Sequence, residues 1–117
     1  MNMTPRHTVA IVIALAAAGF IAGCLSLEAM APPVGPRFVH AAGERGVTLQ
    51  TLKRGRFIYV TDCARCHGIE PIQRYSTERW RAIVWDMADD ARLDRMERDA
   101  LEAYVVAARD VVAQGTE

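Results

Sequence analysis

Cys63 and Cys66 stand two residues apart with His67 directly behind the second, and the only other cysteine, Cys24, lies far upstream. This run constrains a short chain more than any hydrophobic pattern does, because two thiols and an imidazole on one turn must serve one ligand. Cys-x-x-Cys-His is read as a covalent attachment site for a c-type haem, the thiols adding to the porphyrin vinyl groups and the imidazole taking the iron. Two intervening residues let one turn set both sulfurs along the macrocycle edge, and the next residue then swings its ring beneath the metal. Other uses of paired thiols compete. A thioredoxin-like dithiol wants a βαβ setting and a structural zinc wants a second pair of thiols. The sequence has neither.

The chain has 117 residues, with 14 Lys plus Arg against 14 Asp plus Glu, so its formal net charge is zero. That balance removes the electrostatic case for a nucleic-acid partner. About two dozen residues read as targeting sequence, which leaves one small domain. A domain of that size buries a modest fraction of its unfolded surface and usually needs a staple, here a covalently held porphyrin. The expected organisation is a signal peptide over 1–23, a lipidated Cys24 and Pro-rich tether over 24–46, and a monohaem domain over 47–117.

Arg6 and His7 precede an apolar run from Val9 to Ala22, a positive n-region followed by an h-region of export-signal length. Its end, Ile21-Ala22-Gly23-Cys24, resembles the lipobox of bacterial lipoproteins, in which small residues precede a Cys that is lipidated and becomes the new N-terminus. By that resemblance Cys24 carries an acyl anchor on the periplasmic side of a bacterial membrane. Two alternatives stay open: a retained single-pass anchor, since Thr8 to Leu27 is uncharged and long enough to cross the hydrocarbon core, and simple cleaved secretion. All three place the haem domain outside the cytoplasm.

From Glu28 to about Gly46 periodicity disappears, and the prolines of Ala31-Pro32-Pro33-Val34-Gly35-Pro36 predict an extended, partly stiffened segment. It is either a spacer or an arm packed across the domain. His40, at its end beside Phe38 and Val39, reads as a packing or surface residue before it reads as a distal iron ligand.

The domain itself reads as all-α. Thr48 predicts the N-cap of a first helix, with Val47 placed to staple onto Leu52. Leu49, Leu52, Tyr59 or Val60 and Cys63 fall near one stripe, with Gly55 and the arginines turned elsewhere, so this helix delivers the haem motif. Lys53, Arg54, Arg56 and Arg65 make a basic, solvated face that could compensate propionates or steer an acidic partner. Gly68 and Pro71 bend the chain after His67. Ser76 caps a second helix, Tyr75 and Trp80 have staple spacing, and Trp80, Ile83, Val84 and Met87 share the face expected to meet the haem. Asp94 and Glu97 form a capping box for a third helix, whose stripe runs through Leu101, Tyr104, Val105, Ala108 and Val112 until Gly115.

The pattern Gly55-x-x-x-Tyr59, Cys63-x-x-Cys66-His67, Pro71, Trp80, Met87, Leu93, Glu97, Leu101 and Tyr104-Val105 resembles the small monohaem cytochrome c domains, over roughly Val47 to Val112. The resemblance implies a small cytochrome c-like fold of about three helices around one covalent haem c, with a C-terminal helix crossing the one that carries the motif. It also implies that the Pro71 carbonyl accepts from the His67 ring, that Trp80 packs on the haem, and that an axial Met precedes the last helix. The loop that usually carries this Met is missing. Of the donors Met30, His40, Lys53, Met87 and Met96, the helix pattern aims Met87 inward, as sixth ligand or as core filler. The residues offer no nucleophile and no paired carboxylates, so the expected function is a membrane-anchored one-electron carrier rather than an enzyme, meeting redox partner proteins. Alternatives are a haem subunit of a larger membrane oxidoreductase and a five-coordinate haem enzyme or sensor. Acidic residues from Asp86 to Glu102 and basic ones from Arg45 to Arg65 suggest a polarity that orients docking.

Overall fold

The computed structural model describes residues 27–43 and 45–115, so the leader and Cys24 lie outside the described residues. Within them the chain forms α1 (Pro36–Gly43), α2 (Leu49–Thr61), α3 (Thr77–Ala88) and α4 (Arg95–Gln114), with tight 3-10 turns at Cys63–Arg65 and Ile72–Arg74. Residues 27–30 are helical as well, and the described residues contain no strand. The three expected helices are α2, α3 and α4. Helical residues thus fall in five segments, not three.

Each expected helix opens on a side chain that satisfies a backbone N–H lacking an intrahelical partner. The Thr48 hydroxyl accepts from the Thr51 N–H at 3.2 Å and that of Ser76 from the Arg79 N–H at 3.2 Å. Asp94 and Glu97 exchange both bonds of a capping box, at 2.9 and 3.1 Å. At the other end α4 stops at Gly115. Between α3 and α4 the chain turns through Arg92, whose φ of 56° is the single left-handed value at a non-glycine among the described residues.

The last helix is the hub. Leu101, Tyr104, Val105 and Ala108 are buried as the stripe predicts, and Val106 and Ala107 are buried too. A helix covered on one face alone would expose these two; here Val106 shares a groove wall with Ala42 of α1 and Trp85 of α3. The crossing of α2 over α4 runs through Gly55. A Cβ there would lie 2.0 Å from the Ala100 carbonyl oxygen and 2.7 Å from the Tyr104 Cβ, so only hydrogen lets the backbones approach. Gly55 is therefore not turned away from the core, contrary to the sequence expectation. Leu49, placed on the buried stripe, is 42% exposed at the start of α2.

The segment expected as a tether belongs to the fold. Ala31, Phe38 and Ala42 are all buried in the core. Phe38 stacks on Tyr104 at 5.8 Å with the rings within 6° of parallel. The Tyr104 hydroxyl donates to the Pro32 carbonyl at 2.9 Å, and Arg56 donates to the Ala31 carbonyl at 3.0 Å and to that of Pro32 at 3.2 Å. Of the two uses weighed for residues 28–46, the structure has the packed arm, so the folded unit begins near residue 31 instead of 47. Arg56 is correspondingly half-buried and not part of a solvated face. Arg54 pairs with Glu97, so a basic and an acidic residue read as part of a docking polarity face one another across the α2–α4 contact, and Arg45, in the turn after α1, pairs with Asp110 of α4.

Candidate functional site

The α2 helix ends at Thr61, and the Asp62 N–H still reaches the Ile58 carbonyl at 2.9 Å before the chain tightens into the turn Cys63–Arg65. This turn leaves Cys63 half-buried and places Cys66 and His67 at the surface. All three line a cleft of about 320 Å³ whose facing wall is α3, through Trp80, Ile83, Val84 and Met87. Tyr59 of α2 and Leu101 and Val105 of α4 form its floor, and Asp62, Glu70, Arg79 and Asp90 stand among the lining groups. The four α3 residues predicted to share a face do so, opposite the Cys-x-x-Cys-His run.

Two buried aromatic side chains hold the loop behind His67. Tyr59 donates its hydroxyl to the Glu70 carbonyl, and the Trp80 indole N–H donates to that of Ile72 at 2.8 Å. Trp80 also meets Tyr59 and Tyr75 edge-on, with centroids 5.9 and 5.2 Å away. Arg109 adds a bond to the Tyr75 carbonyl at 3.0 Å. The loop is thus fixed at residues 70, 72 and 75 by groups from three helices.

The His67 Nδ1 lies 2.9 Å from the Gly68 carbonyl oxygen. A carbonyl only accepts, so Nδ1 is the donor in this contact, which orients the ring with Nε2 as the nitrogen left for a metal. The expected acceptor, Pro71, is used elsewhere: its carbonyl takes the Arg74 N–H at 3.0 Å and opens the turn Ile72–Arg74.

Burial, and after it the Asp62 carboxylate, pushes the Cys63 thiol up from 9.0 to about 11. A dithiol catalyst or a zinc thiolate needs the opposite shift. No group of three or more His, Cys, Asp or Glu side chains gathers as a metal-holding cluster among the described residues.

Among the other donors considered for the iron, Met96 is 81% exposed. His40 and Lys53 are exposed on α1 and α2, and neither these nor Met30 lines the cleft. Met87 is the thioether brought to the cleft with His67. Sequence reasoning missed the role of Tyr59 as a strut beneath the loop and the presence of Arg79 at the cleft. The spacing Gly55-x-x-x-Tyr59 was a signal for the first, since the glycine at the crossing seats α2 so close to α4 that Tyr59 is carried inward. No family model, curated protein or solved structure matches this chain.

Proposed function

We propose that the protein is a membrane-tethered one-electron carrier that holds one haem c through Cys63 and Cys66. The observation that carries this reading is an apolar cleft lined by both cysteines, His67 and Met87. Its donor chemistry suits a flat apolar group bonded along one edge: thiols at one wall, an imidazole whose Nδ1 is engaged by the Gly68 carbonyl, and a thioether on the facing helix. When bound, the haem supplies a reversible ferric–ferrous couple.

The chain's own residues do the rest. Cys63 and Cys66 fix the group by thioether bonds, so it cannot dissociate between electron transfers. His67 would hold the iron of such a group through Nε2, its ring oriented by the Gly68 carbonyl. Met87 would offer the iron its thioether from the facing helix, a ligand that favours ferrous iron and raises the potential. Trp80, Ile83, Val84, Leu101 and Val105 exclude water from the site. Cys24 carries the acyl anchor, and partners are met through a small, transient interface of the weak redox type. With Met87 at the cleft and His40 outside it, a carrier is favoured over a five-coordinate enzyme.

A redox-titrated visible spectrum of protein matured in a host with the attachment machinery tests this. The expected result is a c-type spectrum with two thioether links, lost in Cys63→Ser with Cys66→Ser, and a far-red sulfur-to-iron band that Met87→Ala abolishes. Colourless protein with both thiols still alkylatable removes the reading. A band that survives Met87→Ala removes only the sixth-ligand assignment.

A further inference from the structure

The buried arm fixes how far the folded unit stands from its anchor. Ala31 is 0% exposed and clasped by Arg56 through its carbonyl, so free chain ends there. From Cys24 to Ala31 is seven steps along the sequence, and the Ala31 N–H already closes a helical turn on the Leu27 carbonyl at 2.8 Å. Three extended steps and one helical turn span at most about 17 Å, whereas α4, with its 20 residues, is about 30 Å long. A domain on so short a stalk rests one side against the bilayer.

The surface beside the arm has the chemistry for that contact. A groove lined by Pro33, Val34, Lys53, Arg56, Phe57 and Val60 runs between the arm and α2. Phe57 is 53% exposed beside this groove, and Leu27 is 38% exposed on the stalk itself. The Arg54 guanidinium lies 5.5 Å from the centre of the Phe57 ring. Arg56 is held by carbonyls, which leave its charge in place. Apolar side chains among cations match an anionic lipid surface, with rings at headgroup depth and positive charge against phosphate.

We infer that the face carrying Pro33, Lys53 and Phe57 lies on the lipid of the membrane that holds the anchor, which confines the protein to partners embedded in or resting on that membrane. The inference rests on the proposed acylation of Cys24. It assigns the groove to lipid because the short stalk brings lipid to it.

Lys53 is the sole lysine of the chain, which makes its ε-amine a reporter. The mature protein is added to preformed vesicles of phosphatidylcholine with about one third phosphatidylglycerol. Acylation of Lys53 by an amine-reactive reagent is then followed by peptide mass, against the amine introduced by Ala82→Lys on the exposed side of α3. A second chain carries a Gly/Ser insertion of about twenty residues after Ser26, which frees the domain from the surface. The expected result is that labelling of Lys53, relative to the Ala82→Lys amine, is slowed roughly fivefold in the native-length chain compared with the extended one. Equal relative rates in the two chains overturn the inference while leaving the carrier reading intact. An intact mass without diacylglycerol on Cys24 overturns both the anchor and the inference built on it.

Discussion

Cys63 and Cys66 are neighbours in sequence and unlike in chemistry. The thiol of Cys63 is pushed up to about 11 from a reference of 9.0, by burial first and the Asp62 carboxylate second, while Cys66 is exposed. Thiolate is the nucleophile, so at neutral pH Cys63 presents about 100-fold less reactive sulfur than an ordinary cysteine. In unmatured protein, alkylation followed by peptide mass is expected to modify Cys66 first. Cys63 should lag until the pH climbs toward 11, and equal rates at pH 7 would contradict this. The sign for stability follows. A group whose folded value is raised supports the fold below its unfolded value and loses that support as pH rises through the folded one, so unmatured protein should soften between about pH 9 and 11. Trp80 is the other residue whose role can be isolated. Trp80→Phe keeps a ring in the core but strands the buried Ile72 carbonyl, at a cost of about 1–3 kcal/mol in chemical denaturation.

At the scale of the elements, Gly55 decides how α2 meets α4. Gly55→Ala places a methyl 2.0 Å from a backbone oxygen that cannot rotate away, so the two helices must separate. We expect a loss of about 3 kcal/mol and a fall in Tm of more than about 10 °C, read from a thermal melt. The start of each main helix was legible in the sequence because a cap is a local event: Thr48, Ser76 and the Asp94–Glu97 pair act within three residues of themselves. Gly55 was not, since its importance lies in Ala100 and Tyr104, which no local pattern joins to it. The face formed by Trp80, Ile83, Val84 and Met87 was legible from periodicity. The α1 helix was obscured by its prolines, which suggested an extended spacer. Pro36 is instead its first residue, where a missing N–H costs nothing, and the four-residue spacing of Phe38 and Ala42 was the signal to weigh against them. Pro71 was named as the acceptor for His67 by resemblance, and in this structure the ring meets the Gly68 carbonyl of the local turn.

For the molecule as a whole, the arm means that the folded unit cannot be cut at residue 47. A chain starting at Leu27 is expected to melt in one cooperative step after haem attachment. One starting at Val47 lacks Ala31, Phe38 and Ala42 and leaves Tyr104 uncovered, and should lose cooperativity, because removing a buried phenylalanine side chain alone costs about 3–5 kcal/mol. Circular dichroism melts of the two chains decide it, and matching transitions would show that the arm is dispensable. The same packing has a bearing on turnover. Many surface-tethered proteins are set loose as active fragments when a protease nicks their stalk. If Cys24 carries the proposed anchor, a nick between Ala31 and Gly43 severs part of the interior, so shedding by that route ends in degradation and not in a diffusing form.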